Sequence, residues 1–260
     1  MARLESQSKM GHYPTPHETL EFIKKWIHSY PDENISILDP CCGTGKAINS
    51  LSDKIRYMLN SKLKTYGIEL DRYRYENTRG ILSKSICASI YDMNIRPLES
   101  FSVLYLNPPY DWDHGERMEF SFLKHSHKWL KAGGLLIFLI PESILAYDKM
   151  RKWIARRYEN IRVFRFTKED YPTFKQVVVF GVKQNEESED ETFPLLPYPH
   201  IEDSIFTSDF TSYVLIEGSE IDTFETKNIS EEEISAYKET AIKNVKESLG
   251  IKADKCDKKS

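Results

Sequence analysis

The sequence predicts an α/β fold built on a doubly wound, mostly parallel sheet. Short apolar runs alternate with segments of helical periodicity along residues 36–183. The run at residues 135–140 is apolar at every position, as expected for a parallel strand that is covered on both faces. Alternating strands and helices build a parallel sheet, and such a sheet binds its ligands at the carboxyl ends of its strands.

The individual elements follow from apolar runs and from apolar residues spaced three or four positions apart. Strands are expected at residues 36–39, 64–70, 85–90, 101–106, 135–140, 161–166 and 177–182, which makes seven. Helices are expected at residues 46–59, 72–83, 118–130 and 143–158. Asp71 stands before the second helix, where a carboxylate can cap free backbone amides.

The character of the chain changes after Lys183, where an acidic segment and a proline-rich segment follow. Further on, residues 230–249 have the pattern of an amphipathic helix that opens with a capping box of Ser230 and Glu233. We therefore expect three parts: a main domain at 1–183, a small carboxyl-terminal appendage at 184–251, and a tail without fixed structure at 252–260.

Composition and charge describe an ordinary globular protein. The formal net charge is −4, so the chain lacks the overall basic character of a nucleic-acid coat, although a local basic cleft is compatible with it. No apolar run approaches the roughly 20 residues of a membrane helix, and the first residues do not resemble a signal peptide. We expect a cytoplasmic protein without a membrane segment. The 4 cysteines lack metal-ligand spacing, so no metal site is predicted.

The first chemical motif is the turn Asp39-Pro-Cys-Cys-Gly43-Thr-Gly45, which follows an apolar strand. Its glycines allow backbone amides and the start of the next helix to approach a bound anion. Glu69 ends the following strand, and a carboxylate at that position can accept hydrogen bonds from both hydroxyls of a ribose. Together these residues predict a site for a nucleoside that carries an anionic group.

The second motif is Asn107-Pro108-Pro109-Tyr110, which closes the apolar run at residues 101–106. Two prolines lock the backbone and make a rigid polar tip. The Asn107 amide oxygen and the Pro108 carbonyl can each accept one hydrogen of an amino group, which stabilises positive charge that develops on its nitrogen. Tyr110 can stack on a base. With the glycine turn, this tip predicts methyl transfer to a nitrogen, with S-adenosylmethionine as the donor.

In their order and spacing, the motifs D-P-x-x-G-x-G, G-x-E-x-D and N-P-P-Y resemble those of class I S-adenosylmethionine-dependent methyltransferases. The resemblance is to the N6-adenine DNA methyltransferases in particular. It implies a seven-stranded Rossmann-like sheet in the domain at 1–183 and methylation of the N6 amino group of adenine in DNA. It also implies a set of donor-binding residues: Thr15, Asp39, Gly43, Gly45, Glu69 and Asn107. A base inside a duplex cannot reach such a site, so the target is flipped out or single-stranded.

Two of these implications rest on the resemblance alone. Tyr13-Pro14-Thr15-Pro16 precedes the glycine turn, and in similar enzymes the threonine contacts the carboxylate of the donor. Similar enzymes also place an aromatic residue before the last strand, which implies that Phe174 stacks on the target base, with Tyr171 as the second candidate. The chain departs from the pattern at Ala88-Ser89, where the family has an acidic residue that contacts the adenine of the donor.

The expected partner is nucleic acid, with DNA ranked ahead of RNA. Similar DNA methyltransferases carry a sizeable target-recognition domain, but only residues 184–260 remain here. This implies relaxed specificity, a separate specificity subunit, or a chain that is a fragment. Three alternatives use the same tip or the same donor site: an RNA amino-group methyltransferase, a methyltransferase for a protein glutamine amide, and a donor-binding regulator without activity.

Overall fold

The computed structural model describes residues 14–30, 33–58, 62–113, 115–207 and 210–227. Its strands are, in chain order, β1 (Ile27–His28), β2 (Ile35–Asp39), β3 (Leu63–Glu69), β4 (Lys84–Cys87), β5 (Met93–Arg96), β6 (Phe101–Leu106), β7 (Trp112–Asp113), β8 (Glu116–Arg117), β9 (Leu130–Pro141), β10 (Tyr158–Arg165), β11 (Gln176–Lys183), β12 (Tyr213–Val214) and β13 (Thr223–Thr226). Its α-helices are α1 (His17–Lys25), α2 (Lys46–Met58), α3 (Arg72–Glu76), α4 (Met118–Ser126), α5 (Asp148–Ala155) and α6 (Tyr171–Phe174).

Seven strands form the main sheet in the order β10-β11-β9-β6-β2-β3-β4. Strand β11 runs antiparallel to both of its neighbours, and the other pairs are parallel. This confirms the predicted fold class. The chain winds outward from β2 in both directions, so the carboxyl ends of β2, β3 and β6 lie side by side at the point where the winding reverses, which is where ligands bind in such sheets.

The alternation of side chains along β9 shows why its residues 135–140 are apolar at every position. Successive side chains of a strand point to opposite faces of the sheet, and both faces of this sheet are covered by apolar clusters. One cluster includes Leu136, Phe138 and Ile140. The other includes Leu135, Ile137 and Leu139.

Three predicted helices are shorter in the structure. Asp71 caps α3 as predicted, because its carboxylate accepts the backbone amide of Arg74 at 2.8 Å, but α3 ends at Glu76. The helix predicted at 118–130 ends at Ser126 because the chain tightens into a 3₁₀ turn before β9 begins. The helix predicted at 143–158 is interrupted at Tyr147, whose extended backbone separates a 3₁₀ turn from α5.

The described residues after Lys183 contribute strands to the same compact unit as the main sheet. Strand β12 pairs with β1, and β13 pairs antiparallel with β5. Phe224 of β13 is buried, and its ring centroid lies 5.1 Å from that of Tyr66. The helix predicted at 230–249 and the tail lie outside the described residues, and the division of the chain after Lys183 stays a prediction. Within the ranges that the structure describes, no helix is both long and apolar enough to cross a membrane.

Candidate functional site

A cavity of about 520 Å³ lies along the carboxyl edge of β2, β3, β4 and β6. Each of these strands supplies lining residues from the turn that follows it, because their carboxyl ends are neighbours at this edge. The lining includes Cys41, Glu69, Leu70, Ser89, Asn107 and Phe122. The turn after β2 lines the cavity through Pro40 and Cys41, and the tip after β6 lines it through Asn107 and Pro109.

The glycine turn after β2 has a backbone that other residues adopt only with strain. Gly43 has a φ of 55° and Gly45 a φ of 76°, both in the left-handed region that glycine tolerates. A side chain at Gly45 would also bring its Cβ within 3.1 Å of Leu82. Helix α2 begins at Lys46, directly after the turn, so its unpaired amides lie beside the turn and favour an anion there.

Glu69 is buried and joins the glycine turn to the start of α3. Its Oε2 accepts the backbone amide of Gly43 at 2.8 Å. Its Oε1 accepts the backbone amide of Asp71 at 2.8 Å and the Arg74 guanidinium at 2.9 and 3.1 Å. Arg74 also lines the cavity, and our sequence reasoning missed it. The signal was a cation five positions after the strand-end acid, on the first turns of the following helix.

Asp39 and Cys42 are buried, and Cys41 is half-buried at the wall of the cavity. Burial, with a smaller effect of the neighbouring Glu69, raises the pKa of Asp39 to about 7. The Asp39 carboxylate accepts the backbone amide of Cys41 at 3.0 Å. Burial also raises the pKa of the Cys41 and Cys42 thiols, so both stay protonated at neutral pH and are poor nucleophiles. No cluster of three or more metal-binding side chains occurs among the residues that the structure describes.

The tip after β6 is oriented by hydrogen bonds at both ends of one amide. Asn107 donates its Nδ2 hydrogen to Thr15 Oγ1 at 3.3 Å, and its Oδ1 accepts the Tyr110 hydroxyl at 2.5 Å. Thr15 also shares a hydrogen bond of 2.5 Å with the buried Tyr105 hydroxyl. Pro108 is buried behind the tip. The segment that precedes α1 therefore reaches the tip, and Oδ1 of Asn107 is presented as an acceptor.

Phe174, the predicted stacking aromatic, lies apart from this group. It is half-buried on α6, with its ring centroid 6.3 Å from that of Phe166, and it is not among the residues that line the 520 Å³ cavity. Tyr171 on the same short helix lines a different cavity beside the end of β9. The structure thus brings the donor-side residues together with Asn107 and places both candidate aromatics on the far side of β9.

Ala88 and Ser89 line the cavity at the place where the resemblance implies an acidic residue. The Ala88 amide donates a hydrogen bond to the Glu69 carbonyl at 3.0 Å, directly after β4. The Ser89 hydroxyl accepts the Tyr91 amide at 3.3 Å and starts a 3₁₀ turn. Asp92, the first acidic residue after Ser89 in the chain, is exposed and is not among the lining residues, so it does not replace the missing acid. The Ser89 hydroxyl is therefore the side-chain polar group that this turn offers to the cavity.

The shape and chemistry of the cavity fit S-adenosylmethionine. Glu69 suits ribose hydroxyls, the apolar surfaces of Leu70 and Ile90 suit the plane of an adenine, and the glycine turn suits a carboxylate. Asn107 follows β6 and lines the same cavity, on the other side of β2 from Glu69. The fold and this cavity define a class I S-adenosylmethionine-dependent methyltransferase.

The chain belongs to the uncharacterised methyltransferase family DUF6094, whose family model matches residues 1–212. S-adenosylmethionine is its methyl donor. No curated protein matches the chain.

Solved structures share the fold at low sequence identity. A putative class I methyltransferase from Listeria monocytogenes has a TM-score of 0.57 and 16% identity, and the match covers 74% of this chain and 66% of that one. The methyltransferase subunit of a type I restriction-modification system from Streptococcus thermophilus has a TM-score of 0.56 and 16% identity, with 71% and 47% covered. The type IIG restriction endonuclease BpuSI has a TM-score of 0.53 and 15% identity, with 71% and 27% covered. The chain thus spans less than two thirds of each of these proteins.

Proposed function

We propose that this methyltransferase transfers the methyl group to the exocyclic N6 amino group of adenine in DNA. The observation that carries the proposal is the orientation of Asn107. Its Nδ2 donates to Thr15 Oγ1, so the opposite end of the amide is the acceptor Oδ1, which accepts the Tyr110 hydroxyl and, with two lone pairs, can also accept a hydrogen of an amino group. Asn107 is followed by Pro108, whose carbonyl can accept the second amino hydrogen, and by Tyr110, whose ring can stack on the base.

The residues that bind the acceptor base increase the nucleophilicity of its amino group. The lone pair of an aromatic amino group is delocalised into the ring. The Asn107 amide oxygen and the Pro108 carbonyl each accept one of its hydrogens, which localises the lone pair and stabilises the positive charge that develops. The ring of Tyr110 holds one face of the base, and stacking of this kind is worth about 1–3 kcal/mol per base. Phe174 lies outside the 520 Å³ cavity, where its ring packs near Phe166, so the stacking is assigned to Tyr110.

The donor side is built by the glycine turn and the strand end beside it. Gly43, Gly45 and Asp39 shape the turn for the donor carboxylate, with Thr15 as a further contact, and Glu69 accepts the ribose hydroxyls. When bound, S-adenosylmethionine supplies an electrophilic methyl group on a sulfonium. The residues around it then have to provide proximity and alignment, which can contribute about 7–11 kcal/mol to the reaction.

The choice of DNA is supported by the named activities of similar structures. The Streptococcus thermophilus protein is a subunit of a restriction-modification system, and BpuSI is a restriction endonuclease. Because the Streptococcus thermophilus protein is one subunit of its system, we further propose that a separate specificity subunit supplies sequence recognition, and that the complex acts in the cytoplasm on single-stranded or flipped adenine.

The test is the mass-spectrometric quantification of N6-methyladenine in DNA and RNA from a host that lacks adenine methylases and expresses the full chain. The Asn107→Ala variant removes the acceptor, and Asn77→Ala makes the same change at an exposed position outside the cavity. We expect methylated DNA with the wild type and with Asn77→Ala only.

The other outcomes discriminate between the alternatives. Methylation of RNA alone would assign the enzyme to RNA. Methylation of neither nucleic acid, together with normal binding of S-adenosylhomocysteine, would contradict the proposal. Labelling of proteins with radioactive donor would then separate a glutamine-amide methyltransferase from a donor-binding regulator.

A further inference from the structure

A second cavity of about 720 Å³ lies at the same edge of the sheet as the Asn107 tip. It begins at Pro141, where β9 ends, and β9 is the direct neighbour of β6. In that pairing Leu106, the residue before the tip, lies opposite Phe138. Tyr171 and Lys175, which precede β11, form the opposite wall. They lie beside the end of β9 because the Glu142 amide donates a hydrogen bond to the Lys175 carbonyl at 2.9 Å. The cavity is therefore one strand away from the tip.

The walls of this second cavity combine apolar and aromatic surface. Leu195 and Leu196 line it and are 80% and 65% exposed. Tyr171 and the buried Tyr198 supply aromatic surface. Adjacent apolar side chains left in water beside a cavity mark a binding surface more often than isolated ones do. A flat apolar group, such as a nucleobase, fits these walls.

The second cavity has a positive charge because Glu142, the acid among its described lining residues, is neutralised. Glu142 accepts hydrogen bonds from Nε and Nη2 of the Arg165 guanidinium, at 2.7 and 2.9 Å, and from the Tyr171 hydroxyl at 2.6 Å. Lys175 is exposed, lies 4.9 Å from the Tyr171 ring centroid, and has no carboxylate partner among the described residues. Arg151 pairs through Nη2 with Asp148 at 3.1 Å.

Arg151 contributes a further feature that favours an anion. Its Nε is buried and has no hydrogen-bond partner among the described residues. A buried donor without an acceptor is destabilising, and a small shift of the Arg151 side chain towards the cavity would let a phosphate oxygen accept this hydrogen. A ligand with a flat apolar part and a negative charge has the chemistry of a nucleotide.

We propose that this second cavity binds a nucleotide of the acceptor strand that is adjacent to the methylated one. The inference deepens the proposed function, on which it rests, by requiring a polynucleotide rather than a nucleoside as the acceptor. The base contacts Leu195 and Tyr171, and the phosphate contacts Lys175 and Arg151. Stacking on apolar and aromatic surface is tolerant of sequence, so this contact selects for a strand and not for a particular base.

The test compares a deoxyadenosine nucleoside with trinucleotides that have adenine in the middle, using the full chain and measuring kcat and KM. We expect kcat/KM to be about ten times higher for the trinucleotides in the wild type, chiefly through KM. Lys175→Gln and Leu195→Ser should lose this gain and keep the wild-type activity on the nucleoside. Lys84→Gln and Leu98→Ser make the same changes at exposed positions outside this cavity and should keep the gain.

A binding measurement tests the inference independently of catalysis. Fluorescence anisotropy with a labelled single-stranded 12-mer, in the presence of S-adenosylhomocysteine, should give about tenfold weaker binding for Lys175→Gln. The loss of one phosphate contact should also reduce the slope of log K against log salt by about 0.7. Equal binding and equal slopes for wild type and variant, or no binding by the wild type, would overturn the inference. Failure of methyl transfer with the binding difference intact would overturn only the proposed function.

Discussion

Asn107 donates its Nδ2 hydrogen to Thr15 Oγ1 at 3.3 Å, although the two residues are 92 positions apart in the chain. An amide turned the other way would offer a donor where the acceptor amino group needs an oxygen. The short segment ahead of α1 is therefore part of the proposed catalytic tip, because it decides which end of the amide faces the substrate. Such pre-orientation contributes to the rate only if it is in place before the reaction.

Replacing Thr15 tests this orientation. Thr15→Val keeps the shape of the side chain and removes the acceptor for Asn107 Nδ2, so we expect kcat at saturating donor to fall about 10- to 100-fold, or about 1.4–2.7 kcal/mol. Thr15→Ser retains the hydroxyl and should stay within about threefold of the wild type by the same scale. Single-turnover methylation of an oligonucleotide measures the step directly. A Thr15→Val variant as fast as Thr15→Ser would show that the contact does not orient the tip.

Tyr110 has two roles that its variants separate. Its hydroxyl occupies the Asn107 Oδ1 atom at 2.5 Å, which is the atom proposed to accept the amino hydrogen, so the hydroxyl competes with the substrate. Tyr110→Phe should therefore have kcat/KM equal to or above that of the wild type. Tyr110→Ala loses the ring and should lose about 1–3 kcal/mol of base binding. Steady-state kinetics of both variants check this, and a large loss in Tyr110→Phe would mean that the hydroxyl itself assists the reaction.

Features that depend on a short run of residues were predictable from the sequence, and features that depend on contacts between distant segments were not. Strand β6 was predictable because five of its six residues are apolar and the run is short and ends at Asn107-Pro108-Pro109, which favours a buried strand over a helix. The pairing of β13 with β5 was not, because it joins segments more than a hundred positions apart. The places of the motifs at the ends of β2, β3 and β6 follow from the sequence, but the contact of Arg74 with Glu69 depends on how α3 leaves the sheet.

Glu69 and Arg74 give a prediction on the affinity for the donor. Glu69→Ala removes the proposed acceptor of the ribose hydroxyls and the anchor of the Gly43 amide. Hydrogen bonds to a charged group are worth about 1.5–3 kcal/mol, so we expect roughly 10- to 100-fold weaker binding of S-adenosylhomocysteine by calorimetry. Glu76→Ala is the matched control, because Glu76 pairs with exposed Arg72 and Arg79. Unchanged binding in Glu69→Ala would place the ribose elsewhere.

Phe224 tests whether the segment after Lys183 supports the sheet. Its side chain is 2% exposed and packs against Tyr66. Phe224→Ala should lower the free energy of unfolding by about 3–5 kcal/mol, because it removes apolar contacts and leaves a cavity. Val214→Ala, at a position that is 46% exposed, should cost far less. Urea denaturation of both variants gives the comparison. Equal stabilities would indicate that β13 is dispensable for the main domain.

Asp39 predicts a pH dependence of stability with a definite sign. Burial raises its pKa from 3.8 to about 7, so the folded chain binds this proton more tightly than the unfolded chain does. The resulting stabilisation is complete below about pH 4 and is lost as the pH rises to about 7. A shift of this size corresponds to at most about 4 kcal/mol.

Asp39→Asn does not titrate and can still accept the Cys41 amide. Relative to this variant, the melting temperature of the wild type should fall by several degrees between pH 4.5 and pH 8, since about 1 kcal/mol shifts it by about 2–4 °C. Differential scanning calorimetry of both proteins across that range measures the difference, and a difference that does not change with pH would show that Asp39 titrates at its ordinary value.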